Sequence, residues 1–276
     1  MLTIEAKRAR FAELHRGPGC FIIPNPWDIG STIYLASLGF KALATTSAGA
    51  AFAAGQPDGG MTRAEVLRHI AELVGATDLP FNADYEAGFA ATREELYESV
   101  SRCIAMGVAG FSIEDFTGDA RGPFYAPQEA ADRIRTARAA IDASGQKVLL
   151  TARCECVLRE YSGGLVETLK RLQSYAEAGA DVLYAPGLGT SEDVAAVVKA
   201  AGPLPVNVLA GAPGLTLRQL EDLGVRRVSV GAALARTAWG GFMRAAQDIV
   251  KHGRFNSFAD AAPFSELETL FRDRPK

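Results

Sequence analysis

A repeated alternation of a short apolar run, a turn and a helix-forming stretch constrains this sequence more than any other feature. The apolar runs, which we interpret as β-strands, cover residues 20–24, 41–46, 79–84, 110–115, 147–153, 181–185, 205–209 and 227–230. Strands that alternate with helices form parallel sheets, because a parallel pair needs a long crossover connection. About eight such units predict an α/β protein with a (β/α)8 barrel of the TIM type. A doubly wound open sheet is the alternative, because the number of strands does not show whether the sheet closes.

Two of the predicted helices begin with a specific signature. Thr62 is followed three residues later by Glu65, and Thr92 is followed in the same way by Glu95. In such a capping box, the threonine and glutamate side chains accept hydrogen bonds from backbone N–H groups of the first helical turn. We therefore predict helices that begin just after Thr62 and Thr92.

The whole chain, residues 1–276, is interpreted as one domain. A (β/α)8 barrel takes about 250 residues, and no linker or low-complexity segment divides the sequence. Helices predicted at 239–251 and 258–271 follow the eighth strand and exceed what a minimal barrel needs. We expect the C-terminal segment, 239–276, to pack outside the barrel or against a neighbouring subunit.

Charge and hydropathy argue against two classes of partner. The formal net charge of -3 disfavours a general nucleic-acid binder. No apolar run approaches the ~20 residues that cross a bilayer. The charged, amphipathic N-terminal stretch does not resemble a secretory signal. We therefore predict a cytoplasmic protein that binds a small molecule, and neither nucleic acid nor a membrane.

The four cysteines are interpreted as reduced thiols. Cys154 and Cys156 flank Glu155 in what reads as a continuation of the fifth strand, and we expect their thiols to point to opposite faces. That arrangement argues against a disulfide between them and against a CxxC site. Reduced thiols are typical of cytoplasmic proteins.

Two of the predicted strands end in acidic residues. The run 79–84 ends at Asp84, and the run 110–115 contains Glu114. Because ligands of parallel α/β proteins bind beyond the carboxyl ends of the strands, both carboxylates are expected where the chemistry takes place. Carboxylate oxygens suit a hard cation such as Mg2+. The alternative is that each acid caps a helix or forms a surface ion pair.

Further polar or small residues fall at the strand ends and would meet at the mouth of a barrel. They are Asn25, Asp28, Thr46, Ser47, Asn82, Asp115, Arg153, Glu155, Pro186, Gly187 and Asn207. Burying such polar groups without partners costs about 1–3 kcal/mol for each lost hydrogen bond, which a bound metal and an anionic substrate would avoid. Arg153 suits a carboxylate, because a guanidinium donates two parallel hydrogen bonds. The small residues from Ser47 to Gly49 leave backbone N–H groups open to an anion.

Structural alternatives remain open for several of these side chains. They are helix capping for Asp28, a turn for Asp58, backbone binding for Asn207, and an ion pair with Glu155 or Glu114 for Arg153. The three histidines lie on predicted helices, which disfavours a histidine metal site. No Gly-x-Gly-x-x-Gly leads from a strand into a helix, and no Gly-x-Ser-x-Gly is present, which disfavours a dinucleotide cofactor and a serine hydrolase.

A series of short motifs runs along nearly the whole chain. They are NPWDIGS at 25–31, TTSAG at 45–49, GQPD at 55–58, NADYEAGF at 82–89, GFSIED at 110–115, TARCE at 151–155, GADVLYAPG at 179–187 and PVNVLAG at 205–211. In this order and spacing they resemble the isocitrate lyase/phosphoenolpyruvate mutase superfamily. The resemblance implies a (β/α)8 barrel whose last helix is swapped between subunits, and therefore a homodimer or homotetramer. It also implies Mg2+ at the barrel mouth and a 2-oxo acid or its enolate as ligand.

The resemblance assigns roles to particular residues. By motif, Asp84 matches a metal-binding aspartate, Glu114 an acid that holds the metal through water, and Arg153 the arginine that binds the substrate carboxylate. The predicted site consists of Arg153, Glu114 and Asp58 as catalytic residues, of Ser47, Ala48, Gly49, Arg153 and Asn207 as substrate-binding residues, and of Asp84, Glu114 and Asn82 as metal-binding residues. Tyr85, Glu86 and Glu155 are candidates for the general acid or base on position alone.

Two departures from the superfamily pattern bear on the reaction. Asn82 stands where the family often has the first Asp of an Asp-x-Asp pair, which removes one negative charge. The stretch 116–127, FTGDARGPFYAP, lacks the Cys and His of the KKCGH-type loop of isocitrate and methylisocitrate lyases, and Arg121 is its only cation. The lost charge at residue 82 would weaken the metal site, and the loop argues against a bona fide isocitrate lyase and against phosphorus transfer.

The function that we predict is therefore a Mg2+-dependent lyase. It would cleave a C–C bond of a small 2-oxo- or 2-hydroxy-dicarboxylate through a pyruvate-like enolate, as an oxaloacetate decarboxylase or a methylisocitrate lyase does. The alternatives are P–C bond chemistry on phosphonopyruvate, by a mutase or a hydrolase, and a barrel that binds an oxo acid without turning it over.

Overall fold

The computed structural model describes residues 2–272, and its eight parallel strands form a nearly closed barrel. The strands are β1 (Phe21–Ile23), β2 (Leu43–Ala44), β3 (Phe81–Asp84), β4 (Gly110–Glu114), β5 (Leu149–Arg153), β6 (Val182–Tyr184), β7 (Val206–Leu209) and β8 (Arg227–Ser229). Their order in the sheet is β1-β8-β7-β6-β5-β4-β3-β2, so the first strand lies beside the last. The predicted TIM-type barrel is confirmed, and the open doubly wound sheet is wrong.

The barrel closes between β1 and β2 through isolated hydrogen bonds. The backbone N–H of Ala44 donates to the carbonyl of the residue after β1 at 3.0 Å. Asn25 Nδ2 donates to the carbonyl of Thr45 at 2.8 Å. Asn25 Oδ1 accepts from the backbone N–H groups of Val230 and Gly231 at 3.0 and 2.9 Å. The side chain of Asn25 therefore joins the ends of β1, β2 and β8.

Helices surround the strands on the outside. They are α1 (Ile4–Arg16), α2 (Ile29–Ser37), α3 (Ser47–Ala53), α4 (Arg63–Gly75), α5 (Arg93–Ala105), α6 (Pro127–Ser144), α7 (Gly164–Glu177), α8 (Ser191–Ala201), α9 (Leu217–Asp222), α10 (Ala233–His252) and α11 (Phe264–Arg272), with a 3-10 helix at Asn256–Asp260. The capping boxes predicted at Thr62 and Thr92 are confirmed, because Glu65 and Glu95 accept from the backbone N–H groups of the two threonines.

Helix α1 covers the amino-terminal end of the barrel. Phe11 is fully buried, and the ring of His15 packs edge-on against Phe11 and Phe21 at 4.5 and 5.1 Å between centroids. A Cβ on Gly110 would lie 2.8 Å from the Phe11 ring. A glycine at the start of β4 therefore lets α1 approach the strands closely. Because this end is plugged, a ligand enters from the carboxyl ends of the strands.

The C-terminal helices differ from the prediction. The first of them, α10, begins at Ala233 rather than near residue 239. The single helix predicted at 258–271 is wrong, because Asn256–Asp260 is a 3-10 helix and α11 starts only after Pro263. Proline lacks a backbone N–H and fits the first turn of a helix better than its interior. Residues 273–276 of the predicted segment lie outside the described residues.

These C-terminal helices expose several large apolar side chains. The fractional exposure is 62% for Phe242 and 81% for both Val250 and Phe264. Swapping of the last helix between subunits stays a prediction, because the structure contains one copy of the chain. Within residues 2–272, no helix combines the length and the apolar composition that crossing a membrane requires.

Candidate active site

The carboxyl ends of the strands surround a cavity of about 480 Å3. Its walls include side chains from at least six strands or the residues directly after them. The members that the sequence had singled out are Asn25, Thr46, Ser47, Ala48, Asp58, Asn82, Asp84, Arg153 and Asn207. The structure thus brings residues that are distant in sequence into one cavity.

Arg153, at the end of β5, lines this cavity and is surrounded by carboxylates. Its Nη1 atom lies 3.2 Å from Asp84 Oδ1 and 3.3 Å from Glu114 Oε2, and its Nε donates to Glu155 Oε1 at 2.6 Å. The strand register explains the grouping, because Glu114 is the partner of Arg153 in the β4–β5 ladder. The guanidinium also lies over the ring of Tyr184, 5.3 Å from its centroid.

The carboxylates around Arg153 are more numerous than the cations that neutralise them. Burial raises the pKa of Glu114 well above its usual range, although Arg153 opposes the shift. The neighbouring carboxylates of Glu155, Asp84 and Glu86 raise this pKa further. A cluster of buried acids with one shared guanidinium is an arrangement that a divalent cation would stabilise.

Asp84 and Glu114 therefore fit the predicted Mg2+ site by the chemistry of their donor atoms, since both offer carboxylate oxygens. Asn82, the third predicted ligand, lies two residues earlier on β3 and deeper in the barrel. Its Oδ1 atom is 3.5 Å from Arg227 Nη1, and its Nδ2 donates to the carbonyl of Ala83. Its role as a metal ligand remains a prediction.

Ser47 fixes the orientation of Asp84. The backbone N–H and the hydroxyl of Ser47 donate to Asp84 Oδ2 at 3.1 and 2.9 Å. The predicted open segment is in fact the first turn of α3, and the N–H of Gly49 already donates to Thr46 Oγ1 at 3.2 Å. Ser47 and Ala48 line the cavity, whereas Gly49 packs behind it.

Asp58 and Arg159 lie at the outer edge of the cavity. Arg159 Nη2 is 4.0 Å from Asp58 Oδ2, and Arg159 Nε donates to Glu155 Oε2 at 3.2 Å. Glu155 is fully buried, so one carboxylate holds both Arg153 and Arg159. The loop that carries Arg159 approaches the barrel closely, because a Cβ on Gly187 would lie 2.8 Å from its backbone.

The three candidates for the general acid or base occupy different environments. Tyr85 points away from the cavity, since its fully buried hydroxyl hydrogen-bonds to Ser99 on α5. Glu86 has a left-handed backbone with φ 47°. Burial raises the pKa of Glu86 to about 7, with a further increase from Asp84. Such a pKa suits proton transfer near neutral pH.

Two residues predicted at the mouth have structural roles instead. Asp28 caps α2 by accepting from the N–H of Ser31 at 2.7 Å, which is the alternative that the sequence left open. Asp115 lies on the outer side of the strand, where Arg171 and Tyr175 donate to its carboxylate at 3.1 and 2.7 Å. Because neighbouring strand residues alternate between faces, Glu114 points inward and Asp115 outward.

The prediction that Cys154 and Cys156 point to opposite faces is wrong. Side chains two positions apart in an extended chain point to the same face, not to opposite faces, and both thiols are buried on one side. Their sulfur atoms and a carboxylate oxygen of Asp115 lie within 4.8 Å of one another. Both cysteines are free, as predicted.

The sequence did not single out Arg227, which forms the floor of the cavity. Arg227 Nε donates to Asn207 Oδ1 at 2.8 Å, and Nη2 donates to Thr151 Oγ1 at 3.1 Å. Asn207 is therefore held by side chains, and its Nδ2 donates to Ser229 Oγ at 3.0 Å. The adjacent residues Arg226 and Arg227 could have indicated a cation near β8, but only the strand register shows which of the two side chains faces inward.

Comparison with known proteins identifies relatives along almost the entire chain. The sequence model described as phosphoenolpyruvate phosphomutase matches residues 11–250. An uncharacterized protein of Mycobacterium tuberculosis is 29% identical over 222 residues, which cover 80% of this chain and 81% of that protein. The 2-methylisocitrate lyase of Bacillus subtilis is 28% identical over 238 residues, covering 81% of this chain and 75% of the enzyme.

Solved structures show the same relationship. A Burkholderia cenocepacia protein described as a lyase/mutase is 46% identical, has a TM-score of 0.94, and covers 98% of this chain and 97% of its own. Oxaloacetate acetylhydrolase with bound oxalate is 23% identical with a TM-score of 0.86, and covers 97% of this chain and 94% of its own. At that identity, the second likeness concerns the fold alone.

Proposed function

Because the chain belongs to the phosphoenolpyruvate phosphomutase family, we propose that it is a Mg2+-dependent lyase that cleaves a C–C bond of a small 2-oxo- or 2-hydroxy-dicarboxylate. The observation that carries this proposal is the Arg153 guanidinium, which lines the cavity and which Asp84, Glu114 and Glu155 share. A guanidinium beside an acid cluster supports binding of a substrate carboxylate next to a divalent cation. The relatives named 2-methylisocitrate lyase support the same reaction class.

Asp84 and Glu114 are the residues that would hold Mg2+. Bound there, the ion would polarise the 2-oxo oxygen of the substrate and stabilise the negative charge that develops as the C–C bond breaks. Ser47 keeps the Asp84 carboxylate oriented through its two hydrogen bonds. Asn207, which was predicted to bind substrate, acts in this proposal through the Arg227 side chain that it holds.

Arg153 would bind the substrate carboxylate through its Nη2 atom, because Nη1 contacts Asp84 and Glu114. Glu155 holds the Nε atom of Arg153 and leaves the outer part of the guanidinium to the ligand. In the decarboxylation of a 2-oxo-dicarboxylate, Glu86 would donate a proton from its carboxyl group to the enolate carbon that remains after CO2 leaves, since its pKa of about 7 suits this role. Asp58 and Arg159 would exclude water at the mouth of the cavity.

The test is turnover of a panel of dicarboxylates, including oxaloacetate and 2-methylisocitrate, with Mg2+ titrated into metal-free protein. Asp84→Asn should lower turnover at least about a hundredfold, because it removes a charge that acts on the transition state, and should abolish Mg2+ binding in calorimetry. Asp119→Asn is the matched control, because Asp119 is an exposed loop residue paired with Arg121. Full turnover in Asp84→Asn would contradict the assigned site. Binding without turnover on the whole panel would identify a non-catalytic barrel.

Phosphonate chemistry is the second candidate, because one solved relative, from Burkholderia cenocepacia, is described as a phosphonomutase at 35% identity and a TM-score of 0.80. Arg121, the cation of the loop after β4, argues against it, because its side chain is 92% exposed and pairs with Asp119. Release of phosphate from phosphonopyruvate, without cleavage of any dicarboxylate, would favour this second candidate.

We also propose that α10 and α11 pack against a second copy of the chain. Their exposed apolar side chains, including Phe242 and Phe264, support a homodimer or a homotetramer. A contact between rings already exists on this surface, because Trp239 and Phe242 have centroids 5.5 Å apart.

A further inference from the structure

Arg227 is a cation buried in the middle of the barrel. Its side chain projects inward from the first residue of β8, and the residue is 2% exposed. Two of its hydrogen bonds, to Asn207 and Thr151, are described above. Its Nη1 atom lies 3.3 Å from His15 Nε2 and 3.5 Å from Asn82 Oδ1. All four partners are neutral groups, since burial and the Arg227 charge lower the pKa of His15 to about 3.

Among residues 2–272, no carboxylate forms a salt bridge with Arg227, which distinguishes it from two other buried arginines. Arg171 is as deeply buried and pairs with Asp115 and Glu167 at 3.1 and 3.0 Å. Arg153 has three carboxylate partners. Burial lowers the pKa of Arg227 to about 10, as expected for a cation without an acidic partner.

Two further arginines are buried without acids, but their environment differs. Arg8 and Arg133 each donate to two main-chain carbonyl groups. Neither of them lines the cavity, whereas Arg227 does. Arg236 also lines the cavity and forms no salt bridge within residues 2–272, but it is exposed to solvent. Arg227 is therefore the buried unneutralised charge that a ligand in the cavity would meet.

Residue 82 decides whether this charge stays unneutralised. Aspartate has nearly the same shape as asparagine, so a carboxylate at this position would lie about as close to Arg227 Nη1 as Asn82 Oδ1 does, at 3.5 Å. A buried cation gains much from an acidic partner and is costly without one. With asparagine at residue 82, the ion pair with Arg227 that an aspartate could form without rearrangement is absent.

One hydrogen-bond donor of Arg227 also remains for a ligand. The Nη2 atom of a guanidinium carries two hydrogens. Thr151 accepts one of them, and this atom has no other hydrogen-bond acceptor among residues 2–272. A ligand oxygen at the floor of the cavity can accept the second.

We propose that Arg227 is an anion-binding residue, that it binds one carboxylate of a small organic dianion at the floor of the cavity, and that Asn82 preserves this role by leaving the guanidinium unneutralised. The inference rests on the proposed function, because it concerns the same cavity. Arg153 and Arg227 then recognise opposite ends of the dianion, one in the layer of Asp84 and the other in the layer below. The ligand class is a short dicarboxylate, since both guanidiniums line a single cavity.

The test measures binding of oxalate and malonate by calorimetry in the presence of EDTA, so that metal binding cannot contribute. Asn82→Asp should raise the melting temperature, because it forms the missing ion pair. It should also weaken metal-free binding of both dianions about tenfold or more, because neutralising a buried charge removes an interaction well above the energy of a tenfold change. Asn256→Asp makes the same change in charge at an exposed position and should leave binding unchanged.

Arg227→Gln should weaken binding to a similar extent, because it removes the same positive charge from the floor of the cavity. If Arg227→Gln does not fold, the binding measured with Asn82→Asp still tests the inference. Binding by Asn82→Asp within about twofold of wild type would overturn the inference, and so would absence of metal-free binding in wild type. Turnover with Mg2+ is measured separately. If no dicarboxylate is turned over but binding depends on residues 82 and 227, the proposed function fails and the inference stands.

Discussion

Glu155 Oε1 accepts a hydrogen bond of 2.6 Å from Arg153 Nε, although the two residues are separated by only one position in the chain. The contact is possible because β5 ends at Arg153 and the chain then turns back, with the N–H of Arg159 donating to the carbonyl of Glu155 at 2.9 Å. The turn brings a fully buried carboxylate behind the inward-pointing guanidinium. Glu155 therefore acts as a support for Arg153.

Replacing Glu155 by Gln should destabilise the protein and weaken carboxylate binding. Loss of one partner of a buried ion pair costs about 3 kcal/mol, and Arg153 would no longer be held at Nε. We expect a lower free energy of unfolding in urea and weaker oxalate binding. Glu167→Gln is the matched control, because Glu167 pairs with Arg171 outside the cavity, and it should leave oxalate binding unchanged. Unchanged oxalate affinity in Glu155→Gln would contradict the supporting role.

His15 should make the protein less stable at low pH. Burial, and then the charge of Arg227, lower its pKa from 6.5 to about 3 in the folded state. The unfolded chain therefore binds the proton first, and stability falls as the pH drops through 6.5 towards 3. Protonation of His15 in the unfolded chain should lower the free energy of unfolding by about 2 kcal/mol between pH 7 and pH 5.

The measurement is urea unfolding at these two pH values. The loss of stability should be smaller in His15→Gln, whose side chain does not titrate. His252→Gln changes an exposed histidine at the end of α10 and should behave like wild type. Equal pH dependence in wild type and His15→Gln would show that His15 does not remain neutral in the folded protein.

Glu86 should have the opposite effect on stability. Burial raises its pKa from 4.5 to about 7, so the folded state holds a proton that the unfolded chain releases. Stability is therefore lost as the pH rises from 4.5 towards 7. The difference in unfolding free energy between Glu86→Gln and wild type should therefore favour the variant more at pH 8 than at pH 5. Glu94→Gln, an exposed change in the first turn of α5, should show no such pH-dependent difference.

Magnesium gives a second measurement on the same variants. A cation bound at Asp84 favours the ionised form of a neighbouring carboxyl. Added Mg2+ should therefore reduce the difference between wild type and Glu86→Gln at pH 8. A stability difference between Glu86→Gln and wild type that is the same at pH 5 and pH 8, with or without Mg2+, would be inconsistent with the raised pKa of Glu86.

Phe242 should contribute to assembly. A glutamate at this exposed position of α10 places a charge in the middle of an apolar surface. We expect Phe242→Glu to shift the sedimentation coefficient towards that of a monomer. Val166→Glu is the matched control on α7, where a single apolar side chain is 66% exposed. Wild-type protein that sediments as a monomer at micromolar concentration would refute the assembly proposal.

The sequence predicted the part of the molecule that follows local patterns. Alternation of strands and helices gave the barrel, and the strand ends placed Asp84, Glu114 and Arg153 on one face because parallel strands share a direction. Capping boxes gave two helix starts. In each of these cases the signal lies within a few consecutive residues.

What the sequence did not show depends on where strands stop and on their register. The sequence does not mark that β5 ends at Arg153, so it did not show that the Glu155 carboxylate lies behind the Arg153 guanidinium. Arg226 and Arg227 have the same chemistry, and only pairing with β7 and β1 turns Arg227 inward. The network around Arg227 includes His15, 212 positions away in the chain, which no local pattern reveals.

The junction between β1 and β2 at Asn25 affects how the mouth of the barrel can deform. Every other pair of neighbouring strands is held by a ladder, whereas β1 and β2 are held by one backbone hydrogen bond and by this amide. The first residues after β2 also hold Asp84 in place. Thr45 Oγ1 accepts a hydrogen bond from the backbone N–H of Asp84, and the Ser47 hydroxyl donates to the Asp84 carboxylate. A ligand that separates β1 from β2 would shift Asp84 as well, so the width of the opening and the position of this carboxylate are mechanically linked.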